Sequence, residues 1–170
     1  MNNRNPQRNR RRGFAYEREV LAHIGAYRHP MSGASAMKGD GVLHTEYGDC
    51  LVECKYQKKR RDHMQLLYAW VTKAQEDANI MQYPYWIIVF RAAYVTKSFF
   101  LTDTNTLYTF IPNPYIPRMK HTDHRTVIDL RYGTDLFPLI PASAVLQITF
   151  RTHNWTGYVA PIELLPPPVR

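Results

Sequence analysis

The chain has 170 residues, 45% of them hydrophobic, which is enough for one domain with a proper core. Its longest strongly apolar run, Trp86 to Phe90, is too short for a membrane span, and the polar N-terminus has no apolar region behind it to form a secretory signal. The net charge is +8, and residues 1–63 hold 13 of the 22 Lys and Arg but only 7 of the 14 Asp and Glu. So uneven a positive field favours a polyanion, of which nucleic acid is the commonest.

Residues 1–12 carry Arg4, Arg8, Arg10, Arg11 and Arg12 among Asn, Gln and Pro. Nothing there can bury a core, so the segment reads as a flexible basic arm, either solubilising or gripping phosphates. Val20, Leu21, Ile24 and Tyr27 form one helical stripe over residues 14–27. Glu17, three and four residues before Val20 and Leu21, falls on that apolar face, whereas Arg18, Glu19 and His23 fall toward the polar side. A carboxylate on a core-facing stripe is costly unless paired or coordinated, which makes Glu17 a better functional candidate than Glu19. Arg28 to Gly39, with Pro30, Ser32, Gly33 and Lys38, reads as a loop or loose hairpin whose small residues either let backbone donors approach a phosphate or simply turn the chain.

Residues 40–55 then predict two strands turning at Tyr47-Gly48-Asp49. Alternation puts Cys50, Val52 and Cys54 on one face, suited to a core, and Leu51, Glu53 and Lys55 on the other. A strand pair of this kind brings Asp40 close to Glu53. Two carboxylates suit a hard divalent cation such as magnesium, and an adjacent ammonium can orient a water or offset charge on a phosphoryl group. Lys58, Lys59, Arg60 and Arg61 follow directly, which favours phosphate contact over a merely solvated face.

Asp62 reads as an N-cap with Gln65 three residues on, opening a helix with the stripe Leu67, Trp70, Val71, Ala74, Ala78 and Met81. Gln75, Glu76 and Asp77 are expected on or near its outer face. Tyr83-Pro84 ends it, Tyr85 to Phe90 reads as a buried strand, and Ser98–Leu101 and Leu107–Ile111 flank a hairpin signal at Asp103-Thr104-Asn105. Beyond Ile111 the pattern weakens: a Pro-marked loop, strands at Thr126–Leu130 and Ala144–Arg151, and an extended tail at Pro166-Pro167-Pro168.

Other chemistries lack their residues. His121 with His124, and Cys50 with Cys54, make no zinc quartet. No Gly-rich loop followed by lysine marks an NTPase. The cysteines are expected reduced, as in a cytoplasmic protein (host cytoplasm if viral).

The ordered set Gly13-x-x-x-Glu17-Arg18, Arg28, Ser32-Gly33, Asp40 and Glu53-x-Lys55 resembles the archaeal-type Holliday junction resolvases of the PD-(D/E)xK nuclease superfamily. It covers roughly the first half of the chain by motif order. Gly41 departs from the pattern, since the family usually has an apolar residue after the aspartate. The resemblance implies an α/β fold, with a nuclease core over residues 13–111 built on a central mixed β-sheet flanked by helices; residues 112–170 run past the family's usual end and read as a C-terminal β-rich extension of unassigned role, packed on the same domain. It implies Glu17, Asp40, Glu53 and Lys55 as catalytic residues, with Mg²⁺, replaceable by Mn²⁺, held by Asp40, Glu53, Glu17 and the Cys54 carbonyl. The arm, Arg18, Arg28, Ser32, Gly33, Lys38 and the run from Lys58 to Arg61 would bind DNA. The implied activity is paired nicking of four-way junctions by a homodimer. A related endonuclease for duplex or other branched DNA, and a non-catalytic DNA-binding protein with a relic site, are the alternatives.

Overall fold

A computed structural model describes residues 6–30, 37–57, 63–92, 95–117, 127–131 and 144–169. Helix α1 (Pro6–Ile24) leads into a two-residue strand β1 (Tyr27–Arg28), and β2 (Gly41–Thr45) and β3 (Gly48–Gln57) follow as a hairpin. A short strand β4 (His63–Leu67) runs straight into α2 (Tyr68–Met81), then come β5 (Tyr85–Ala92), β6 (Phe99–Thr102) and α3 (Thr104–Phe110). β7 (Val127–Arg131), β8 (Leu146–Phe150) and β9 (Trp155–Pro161) complete the strands.

Seven strands form one mixed sheet in the order β1-β2-β3-β5-β6-β9-β8, and β4 pairs with β7 in a separate ribbon. β3 and β5 run parallel at the centre, connected through α2, while the other neighbours are antiparallel. A strand covered on both faces needs apolar residues throughout, and β5 has them: Trp86 to Phe90 are all buried. One face of the sheet packs Cys50, Val52, Ile87 and Phe100 against Tyr16, Val20 and Leu21 of α1 and Leu107 and Phe110 of α3. The other packs Leu51, Ile88 and Phe90 against Val71, Ala74 and Ala78 of α2 and Met64, Leu66 and Leu130 of the ribbon. The protein is therefore α/β, with a central mixed sheet between helical layers.

The last two strands, β8 and β9, belong to this same sheet. β9 pairs with β6, Phe100 facing Ala160, and Tyr68 of α2 stacks on His153 at 3.8 Å while meeting Phe150 and Trp155 edge-on. The proline tail also docks: Val169 N–H donates to His44 O at 2.9 Å.

Several expectations are corrected. Residues 6–12 are helical and not part of a free arm, because α1 starts at Pro6, a residue suited to a helix's first turn. The second helix starts at Tyr68 with Leu67 at its N-cap position, and Asp62, the expected cap, lies outside the described residues; His63 to Leu67 alternate in burial, with Met64 and Leu66 inward, and form β4. The side chain of Gln57 supports that strand, donating to His63 O at 2.9 Å and accepting from Gln65 N–H at 3.2 Å. Asp103 caps α3 by accepting from Thr106 N–H at 2.8 Å, so the expected hairpin is instead a strand and a helix. Of the two readings of Arg28 to Gly39, the hairpin holds: Arg28 lies in β1 and pairs antiparallel with Gly41 of β2. Asp77 is buried and not on an outer face.

Candidate active site

Asp40 sits one residue before β2, where the hairpin ladder runs out. Its backbone N–H donates to Val52 O at 2.9 Å, and its Oδ2 accepts from Cys54 N–H at 2.6 Å. The carboxylate thus replaces a backbone acceptor and is locked against β3. Gly41 is explained at the same point: a Cβ there would lie 2.5 Å from the Tyr27 carbonyl oxygen and 2.9 Å from a Leu21 methyl. Pairing with β1 and packing under α1 leave no room for the apolar side chain usual in the pattern.

Glu53 leaves β3 on the α2 side, 6% exposed. Its Oε1 accepts from Lys55 Nζ at 2.6 Å and forms a longer ion pair with Lys73 Nζ at 3.6 Å. Lys73 in turn meets Asp77 Oδ2 at 2.5 Å. Burial works against the Lys73 charge, but the bond to Asp77 and the field of Glu53 outweigh it and raise its pKa. Lys55 Nζ also lies 5.8 Å from the Trp70 ring centre, so it is placed between a carboxylate and an aromatic face.

Glu17 reaches the site from α1, 14% exposed, and accepts from Arg28 Nε at 2.8 Å. Glu19 points elsewhere, in a two-pronged ion pair with Arg91 at 2.6 and 2.9 Å that lowers its pKa. Burial, then the charges of Glu53 and Glu17, push the Asp40 carboxyl up to about 6 against the opposing pull of Cys54 N–H and Lys55. Burial also raises the thiol pKa of Cys54 well above its usual value, with the nearby carboxylates adding to it. The Cys54 thiol packs against the core, and its backbone N–H is the group that meets Asp40.

Asp40 and Glu53 stand between two recesses. One, of about 280 Å³, opens toward α1 and is lined by Arg10, Gly13, Phe14, Glu17 and Lys55 among others. The other, of about 320 Å³, opens toward α2 beside Lys38, Lys73 and Asp77.

The structure therefore gathers Glu17, Asp40, Glu53, Cys54 and Lys55, with Arg10, Arg28 and Lys38 around them. Arg11, Arg12 and Arg18 are exposed on α1. Arg4, Ser32, Gly33, Lys58, Lys59, Arg60 and Arg61, the side chain of Arg8, and His121 and His124 lie outside the described residues. Lys73, Asp77 and Trp70 are additions that sequence reasoning missed. For Asp77 a signal existed: it is three residues after Ala74 and four before Met81, hence on the apolar stripe, which is the phase argument that singles out Glu17.

Among the described residues no three His, Cys, Asp or Glu side chains gather tightly enough to hold an ion by themselves. The donor set still fits magnesium, which is commonly held by one or two carboxylates with waters and substrate phosphate completing its shell. The raised Asp40 pKa points the same way, because crowded negative charge is what a divalent cation relieves.

No family model matches the chain, and no curated protein matches it. Among solved structures, the chain is similar to Hjc, a Holliday junction resolvase of the archaeal hyperthermophile Archaeoglobus fulgidus. The match has 19% identity and a TM-score of 0.40, over 54% of this chain and 80% of that one. No helix among the described residues is long and apolar enough to cross a membrane.

Proposed function

We propose that the protein is a magnesium-dependent DNA endonuclease of the PD-(D/E)xK type that resolves four-way junctions as a homodimer. The observation that carries this reading is the convergence of Asp40, Glu53, Glu17 and Lys55 at one end of the central hairpin, with Asp40 pushed up to about 6 by burial and by the other carboxylates. The basic first third of the chain supplies affinity for the phosphate backbone.

Asp40, Glu53 and the Cys54 carbonyl would hold the ion, with Glu17 at the edge of the same recess. When bound, magnesium supplies Lewis acidity that activates water and offsets charge on the phosphoryl oxygens. Cys54 N–H keeps Asp40 oriented through its 2.6 Å bond. Lys55, held beside Glu53 by their 2.6 Å ion pair, orients the attacking water and offsets charge as that water attacks phosphorus in line and the sugar oxygen leaves. Arg28 holds Glu17 in the recess and brings positive charge to the DNA side. Each chain supplies one such site, so two opposed nicks call for two chains related by a two-fold axis, the symmetry of the junction itself.

The test compares magnesium-dependent cleavage of a four-way junction with cleavage of its component duplexes, for the wild type and for Asp40→Asn and Glu53→Gln. Expected are preferential junction cutting and a loss on the order of a hundred- to a thousandfold or more in either variant, with DNA binding retained. Equal cutting of duplex favours the general endonuclease reading, and wild-type cutting by either variant removes the site assignment. Binding without cleavage under all conditions leaves the non-catalytic reading.

A further inference from the structure

We propose that Phe14, with the guanidinium groups of Arg10 and Arg28, seats an unpaired nucleobase of the bound DNA beside the carboxylate pair. The inference rests on the DNA-nuclease reading and names a contact which that reading does not require.

Phe14 is 38% exposed on α1, whose core contacts come from Tyr16, Val20, Leu21 and Ile24. A large aromatic ring left in water invites a partner, and this one lines the same recess as Glu17, Asp40, Glu53 and Lys55. Arg10 Cζ lies 5.7 Å and Arg28 Cζ 5.9 Å from its ring centre. Unstacked bases are bound by this pairing of aromatic ring and guanidinium plane, the ring giving stacking area and the cation neutralising the attached phosphate. Arg28 is held by Glu17, whereas Arg10, one helical turn before Phe14, can swing on its flexible stem to admit a base or stack on it.

Gly13 is a second, independent observation. Glycine weakens a helix interior, yet a Cβ at Gly13 would meet no atom within 4 Å, so packing does not demand its absence. Its effect is to leave the wall beside Phe14 open. Splaying out a base next to the scissile phosphate costs less at a branch point, where helical stacking is interrupted, than inside a continuous duplex.

The experiment is a double-mutant cycle between protein and DNA, measured as binding in EDTA so that no cleavage intervenes. An abasic analogue is scanned through the nucleotides flanking the branch point of a four-way junction, against the wild type and Phe14→Ala. At one position at least, removing the base should weaken wild-type binding roughly tenfold, a typical loss for one stacked base. It should cost Phe14→Ala almost nothing. Phe14→Tyr should restore the coupling. Gly13→Leu should also lose it while raising the melting temperature, separating a filled recess from a damaged fold. Strictly additive effects at every position overturn the proposal. If coupling is found in a protein that never cuts DNA, the nuclease reading fails and the base seat stands; carboxylate-dependent cutting without coupling gives the reverse.

Discussion

With the Asp40 carboxyl pushed up to about 6 by burial and by Glu53 and Glu17, the folded chain holds a proton between pH 4 and 6 that the unfolded chain has lost. Because the folded value is raised, the stability tied to Asp40 is fully present below the unfolded value near 4 and is lost as pH rises through 6. The size is on the order of 3 kcal/mol at most. Metal-free protein should therefore lose stability between pH 4 and 6, and Asp40→Asn should flatten that slope and be the more stable protein at pH 7. Denaturant titrations in EDTA across this range check it; an unchanged slope in the variant would place the strain elsewhere. The two helix glutamates divide at this scale as well. Glu17→Gln should lose cleavage activity because its carboxylate faces the recess, while Glu19→Gln should keep it and lose only the ion pair with Arg91, worth under about 1 kcal/mol at the surface. Steady-state cleavage rates with parallel melting curves separate the two, and equal losses of activity would sink the assignment.

At the scale of elements, legibility tracked how local the deciding interactions are. The β2–β3 hairpin and its carboxylates were readable because alternation and a turn signal decide them within 16 residues, and Glu17 because helical phase does. β4 reads as helix in the sequence because a capping pattern overrules the short alternating stretch His63 to Leu67, and the partner that makes it a strand, β7, begins at Val127, opposite Leu67. Asp103 was read as a turn residue when it caps a helix; Asp serves both, and only the burial of Leu107 and Phe110 beneath the sheet decides between them. Lys73 had no signal of its own, since an i,i+4 ion pair with Asp77 looks the same on any exposed helix. Because the Asp103 cap accounts for one of the open backbone donors of α3, Asp103→Ala should lower stability by about 1 kcal/mol. Chemical denaturation measures this, and Asp103→Ser should recover most of it.

At the scale of the whole molecule, the charge asymmetry should appear as salt dependence. Replacing Arg4, Arg8, Arg11 and Arg12 by Gln leaves the recess-lining Arg10 in place. The log–log salt slope of DNA binding should then fall by roughly one unit for each arginine that meets a phosphate. Binding titrations between low and moderate salt read it directly, and an unchanged slope would make this end of the chain a solubilising device.

The position of β9 bears on how the chain is made. During synthesis β6 emerges long before the strand that covers it, and Phe99, Phe100 and Leu101, all buried in the finished sheet, wait with one edge open until residues 155–161 have left the ribosome. For that interval the nascent chain displays an unpaired apolar edge of the kind that templates aggregation. A fragment stopping at residue 111 keeps every carboxylate of the site but retains the open edge permanently. Yield of soluble protein would then depend on how quickly residues 103–161 are translated after β6.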